Sequence, residues 1–393
     1  MAGLRSISNV WKNIGEVDLR PIREDALREL QIAIVGEAGS GRHTLAEQLR
    51  QDPSREGTRA ETPVAVLDLE EADQAQEADL IVLMVDAAGS GFERQREHAR
   101  RWTNSGKKVL VFYNVLGSGA GEAALKKSER GLDSVWNAHH LLVGRADDAQ
   151  FLLKQFVPAV MRMLPGDLLP LARRYPLFRV PVANDLIGDT SLSNAAYAFS
   201  TGLAEIVPIL NIPLNVTDMI IITKAQAFLA YKLGLALGLS TRWQDYVREF
   251  GGVIGSGFLW RQLARSLIGL IPVIGIIPKA AVAYSGTYVV GRAVLGWYLT
   301  GRHISPRQMR ESYRLAYWRG RSTALDWFSK VRRPRLPRRR TAQAALAASQ
   351  APASQTIQLP SKTCSNCGRG NASEAMFCQF CGQPLTPRAV EAA

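Results

Sequence analysis

The stretch LQIAIVGEAGSGRHTLAEQL, Leu30 to Leu49, decides the fold. A short apolar strand, Ile32 to Val35, enters a Gly-rich turn, and a helix starts near Gly41. The spacing fits a phosphate-binding loop, G-x-x-x-x-G-K-[ST]. Gly36 and Gly41 occupy its two glycine positions, and Gly39 adds freedom between them. Such glycines let the backbone curl with its N–H groups inward, and the helix start adds positive dipole character. The side chains depart from the pattern: Arg42 stands at the lysine position and His43 at the Ser/Thr position, with Thr44 one residue late. A lysine there reaches the terminal phosphates and a hydroxyl holds magnesium. Arginine carries the charge on a bulkier fork, and imidazole is a poor ligand for an oxygen-seeking ion. Three readings stay open: a tight strand–helix turn without nucleotide, nucleotide binding without useful hydrolysis, and an active hydrolase.

Working outward, residues 30–160 alternate strands and helices. Strands are expected at Ile32–Val35, Val64–Leu69, Leu80–Asp86, Val109–Tyr113 and His140–Val143, with helices at Thr44–Arg50, Gly91–Ser105 and Ala120–Ala138. Nearly continuous apolar strands imply a parallel sheet covered on both faces, hence a three-layer α/β domain. Helix 94–101, with Arg94, Arg96, Glu97 and Arg100, reads as a solvated face. The preceding residues, 1–29, form an N-terminal helical arm. Asp18 is its expected cap, Ile22, Ala26, Leu27 and Leu30 its apolar stripe, and Trp11 and Ile14 further packing groups.

At this point the α/β segment resembles a small Era-type or Ras-like GTPase domain. The resemblance rests on the loop together with VAVLDLEEA, ADLIVLMVDAA and KKVLVFYNVLGSG. It implies GTP and magnesium as cofactors and a nucleotide site made of Gly36, Gly39, Gly41, Arg42, His43, Thr44, Asp68 and Asn114. It implies no catalytic residue that can be named. Departures are several. Glu71 replaces the glycine of D-x-x-G, and no glutamine follows Asp68 to position water. Val115 and Gly117 replace the lysine and aspartate of N-K-x-D. Loss of that aspartate removes the buried bidentate contact that selects guanine. The last base-side loop falls near Gly144–Arg145–Ala146, and Thr58 or Thr62 in the short charged loop is a magnesium-reaching candidate.

Residues 161–185 read as a connector broken at Pro165 and Pro170. Residues 186–330 form a helical domain with a basic aromatic extension. Helices are expected at Leu192–Ile206, Leu214–Leu239, Trp243–Phe250, Phe258–Leu270 and Lys279–Leu299, punctuated by prolines 208, 213, 272 and 278. Small residues recur, so helices can approach closely. A spanning helix needs about 20 apolar residues. The best uncharged run, Ser266 to Pro278, has 13 and contains two prolines. A buried helix pair and a membrane-embedded hairpin both fit it. Residues 186–301 resemble the bacterial helical domain called DUF697, through VPILNIPLNVTDMIIITKAQAFLAYKLGLALG and GFLWRQLARSLIGLIPVIGIIPKAAVAYSGTYVVGRAVLGWYLTG. That resemblance implies membrane association and no known reaction. Asp218, Lys224 and Lys279 stand out as charges in apolar helices, either paired or at interfacial ends.

The net charge is +13 over 393 residues, but residues 301–340 hold thirteen Lys/Arg against two acidic residues. Arginines alternate there with Tyr313, Tyr317, Trp318, Trp327 and Phe328, and RRPRLPRRR follows. The mix suits membrane lipid at an anionic inner-face surface first, with an acidic protein or nucleic acid as less favoured partners. Residues 331–362 are a basic tract and flexible linker.

All four cysteines fall in residues 363–386, in CSNCGRGNASEAMFCQFCG. Cys364, Cys367, Cys378 and Cys381 form two C-x2-C knuckles ten residues apart, each followed by glycine. Four thiolates suit tetrahedral zinc and leave no open position, so the site is structural. The segment resembles the small bacterial zinc-ribbon family, a module suited to recruiting a protein partner. The N-terminus shows no secretory h-region. With the cysteine usage, this predicts a membrane-associated location on the cytoplasmic face, or a cytoplasmic one. The expected fold is multidomain, α/β plus α, with a three-layer GTPase-like domain, a helical domain and a small four-cysteine zinc ribbon.

Overall fold

The structure is a computed structural model. It describes residues 18–55, 57–87, 92–115, 140–204, 216–246, 276–302, 304–332, 361–363, 365 and 370–372. The chain divides into two compact units, Met1–Val331 and Arg332–Ala393.

The first unit opens with helix α1 (Arg20–Leu27) and strand β1 (Ile32–Gly36), then α2 (Arg42–Arg50) and β2 (Ala65–Asp68). A 3-10 segment, Leu69–Glu77, leads to β3 (Leu80–Asp86), α3 (Glu93–Asn104), β4 (Lys108–Asn114) and β5 (His140–Gly144). The five strands make one sheet in the order β2-β1-β3-β4-β5, and every pairing is parallel. β1, β3 and β4 are almost wholly buried apolar runs. One sheet face packs Ile32, Ile34, Leu110 and Phe112 against Leu45 and Leu49 of α2. The other packs Val35, Ile81 and Val111 beneath Ala72, Ala75, Ala99 and Trp102. A parallel sheet covered on both faces is therefore present, as its apolar strands predict.

The helical part follows without a break in the core. Helix α4 (Ala149–Phe151) passes through a π-turn, Leu152–Phe156, into α5 (Val157–Met163). Pro158 has no N–H for the regular ladder, which accounts for the wider turn just before it. Then come α6 (Leu168–Arg174), a 3-10 turn Pro176–Phe178, α7 (Arg179–Ala204), α8 (Val216–Ala236), α9 (Ile276–Thr300) and α10 (Pro306–Arg332). The hydrophobic cluster that begins on the sheet continues through Phe156 and Phe178 to Leu229, Leu233, Leu295 and Tyr298. Small residues bring α7 and α9 together: a Cβ on Gly291 would lie 2.8 Å from Ile187.

Several boundaries differ from the sequence reading. Residues 161–185 are mostly helical: Pro170 lies inside α6, and α7 starts at Arg179, well before Leu192. Pro170, Pro181 and Pro278 all fall in first turns, where the missing N–H costs nothing. Leu19, not Asp18, caps α1, while Asp18 accepts the Arg20 N–H and pairs with its side chain. Leu27 leaves the apolar stripe and is 49% exposed. Trp11, Ile14, the Ala120–Ala138 and Phe258–Leu270 helices, and Pro208, Pro213 and Pro272 lie outside the described residues. Among the described residues no helix is long and apolar enough to cross a membrane.

In the second unit, β6 (Ser361–Thr363) and β7 (Gly370–Ala372) form an antiparallel pair, with Thr363 opposite Gly370.

Candidate functional site

Sheet register assembles the site. Gly36 aligns with Asp68 on one side and Met84 on the other. Asp86 aligns with Asn114, and Asn114 with Gly144. The carboxyl ends of all five strands thus share one edge. β1 lies between β2 and β3, so the chain reverses its direction of progress beside β1, where open parallel sheets form their ligand crevices.

The loop leaving β1 adopts the backbone that its glycines allow. Gly39 has φ 83° and Gly41 φ 92°, and Gly41 is the N-cap of α2. The left-handed conformation at Gly41 is strained for any other residue, and a Cβ there would strike Asn114 Nδ2 at 2.1 Å. Ser40 is buried beside Gly36, and its Oγ has no hydrogen-bond partner among the described residues.

Arg42 folds back into this loop. Its guanidinium donates to the Gly36 carbonyl, to the Leu67 carbonyl at 3.2 Å, and to both carboxylate oxygens of Asp68, the Nη2–Oδ2 bond measuring 2.8 Å. Arg42 is largely buried and Asp68 half exposed. The Arg42 hydrogen bond holds the Asp68 carboxyl below its usual range, helped slightly by the charge of His43. The same bond raises Arg42, against the cost of burial. Bidentate pairing of this kind is geometrically specific. Asp68 also starts the 3-10 segment, where the Glu71 carboxylate accepts its N–H at a long 3.5 Å.

The sequence-predicted residues therefore divide. Gly36, Arg42 and Asp68 meet directly. Asn114 joins from the other side: it is buried, donates to the Ser40 carbonyl at 3.0 Å, and accepts the Ala146 N–H at 2.9 Å. The loop near Gly144–Arg145–Ala146 is thus tied to the loop after β1 through Asn114. His43 and Thr44 are exposed on the first turn of α2. Thr62 donates to the Arg174 carbonyl and is engaged with the helical part instead. In this arrangement both Asp68 oxygens face the Arg42 guanidinium, and position 43 carries an imidazole in place of the hydroxyl that would hold magnesium.

Two participants, Gln95 and Glu37, escape the sequence reading. Gln95, on the helix read as a solvated face, is buried and donates to Glu37 of the loop at 3.0 Å. The signal for Gln95 is its place among charged neighbours, one helical turn before buried Ala99 and two before Trp102.

The loop between α2 and β2 does not lie free. Asp52, 2% exposed, pairs with Arg179 at the start of α7 at 3.1 Å. Arg55 donates to the Tyr298 carbonyl at 2.7 Å, near the end of α9. Arg50 donates to the Thr62 carbonyl.

Of the charges in the apolar helices, Lys224 and Lys279 are half-buried, and Lys279 is engaged; the Asp218 side chain lies outside the described residues. So do all four cysteines. The paired strands β6 and β7 flank residues 364–369, which contain the first C-x2-C knuckle. Among the described residues no group of three or more His, Cys, Asp or Glu could hold a metal ion. No protein-family profile matches this chain, and no curated protein matches it significantly.

Proposed function

We propose that the chain is a membrane-associated, GTPase-like scaffold whose phosphate loop is closed on itself, with a zinc ribbon as a tethered recruitment module. The Arg42–Asp68 clasp carries this reading. It puts a cation where a nucleotide's lysine would stand and commits that cation to the carboxylate that would serve magnesium. Val115 and Gly117 point the same way, because guanine has no carboxylate to pair with. The apolar helices and the basic aromatic helix α10 support the membrane assignment, and the four-thiolate pattern supports the ribbon.

One observation favours a second reading, an oxyanion held without turnover. The Ser40 hydroxyl is buried in a loop of phosphate-binding form and has no partner among the described residues.

Titration of the purified full chain with fluorescent GTP, GDP and ATP, with and without magnesium, separates the two. The scaffold reading expects no saturable binding up to about 1 mM. Micromolar binding that magnesium strengthens would overturn it. Binding that ignores magnesium and weakens in Ser40→Ala would select the second reading.

A further inference from the structure

Helix α10 carries an unusual surface. Among the described residues six large apolar side chains are strongly exposed, and three of them are on this helix: Leu315 at 69%, Trp318 at 59% and Leu325 at 39%. Spacings of three and seven residues place them on one face. Ser322 and Ser329 continue the same stripe with small groups. Arg307, Arg314 and Arg321, at seven-residue intervals, run as a row beside it, and all three are exposed. The Arg321 guanidinium lies 5.5 Å from the Trp318 ring centre. Arg310 and Arg319 add exposed charge on either flank. None of these five arginines has an ion-pair partner among the described residues.

The opposite face is fixed. Met309, Ala316, Gly320 and Ala324 are buried against the unit. Gly320 lies so close that a Cβ would meet Tyr284 Cβ at 2.8 Å and Ala281 Cα at 3.2 Å. The helix is therefore held down along its length with its apolar stripe outward, and it cannot roll that stripe inward without losing this contact.

We infer that α10 is an in-plane membrane-binding helix, seating Leu315, Trp318 and Leu325 at the headgroup–acyl boundary of an anionic bilayer while its arginine row engages lipid phosphates. Helices that lie in the interface plane bind in this manner without spanning, with Trp and Leu at the acyl boundary and arginines at the headgroups. The aliphatic groups decide against nucleic acid. Bases stack on aromatic rings and phosphates pair with arginine, but neither rewards the exposed leucines that share this face with Trp318. This inference rests on the membrane-associated part of the proposed function, and not on the nucleotide part.

The test is co-sedimentation of the full chain with vesicles of phosphatidylcholine alone or mixed with phosphatidylglycerol, at low and high salt. Binding is expected only with the anionic mixture and should weaken with salt. Each of Arg314→Gln and Arg321→Gln should weaken it about fivefold, and Leu315→Glu with Trp318→Glu at least about tenfold. All four side chains are exposed, and an unchanged circular dichroism spectrum and melting temperature would verify folding. Anionic-vesicle binding that survives in the Leu315→Glu/Trp318→Glu protein would overturn the assignment to α10 and leave membrane association standing. Absence of vesicle binding by the unmodified chain would overturn both. Tight binding of a fluorescent oligonucleotide, lost in the arginine variants while vesicles are ignored, would replace the lipid with nucleic acid.

Discussion

Arg42 and Asn114 show how differently two residues of one site contribute. Asn114 is buried and satisfies the Ser40 carbonyl in the loop after β1 and an N–H of the loop after β5. Asn114→Ala would strand both groups, and the expected loss is about 2–3 kcal/mol of folding stability in urea denaturation. Asp68 is half exposed, so Asp68→Asn should leave stability nearly unchanged while releasing the Arg42 fork. The pH behaviour has a definite sign. The Asp68 carboxyl is held below its ordinary value of 3.8, so the clasp is intact above that value and opens only as pH falls through the lower folded-state value. A carbon-13 carboxyl titration reads this directly, and in Arg42→Ala the midpoint should return upward. That Arg42, Asp68 and Asn114 gather around the loop after β1 is legible from motif spacing. That Arg42 turns inward onto Asp68 is not, because a side chain's direction depends on the carbonyls of Gly36 and Leu67, which only the β1–β2 pairing brings within reach.

At the scale of elements, the strands are the most legible part. Apolar runs such as Leu80–Asp86 have one stable destination, the interior of a covered parallel sheet. Helix starts are less legible. Pro170 and Pro278 look like breaks in a linear reading, yet each sits in a first turn. Leu27 fits a 3.6-residue stripe but falls outside the buried arc of α1. Gln95 looks solvated because its neighbours are charged, although it occupies the buried side of α3. The contact of Asp52 with Arg179 spans 127 residues, a separation no local pattern encodes. It is a buried pair, and breaking one side leaves the other charge uncompensated. Asp52→Ala should therefore cost about 3 kcal/mol by chemical denaturation. A double-mutant cycle with Arg179→Met should recover part of that loss, since the two residues are coupled.

For the whole molecule, the chain divides at Val331 and Arg332 into two compact units. The first unit has a continuous apolar interior from the sheet to α9. The tail, with its short β6–β7 pair and four cysteines, has the composition of a module held by metal. The expected content of the purified chain is about one zinc ion, by atomic emission. Cys364→Ser should abolish it and make the tail protease-sensitive, with the melting of the first unit unchanged.

The ties of residues 50–62 have a further consequence. Through Asp52, Arg55 and Thr62 this stretch is bonded to the start of α7, to the end of α9 and to the Arg174 carbonyl. Any ligand that reshaped it would have to exchange those bonds. Thermodynamic reciprocity then applies: whatever repositions α7 or α9 must alter the affinity for that ligand by the same factor by which the ligand biases the helices. The loop would act as a two-way coupling, read identically from either end.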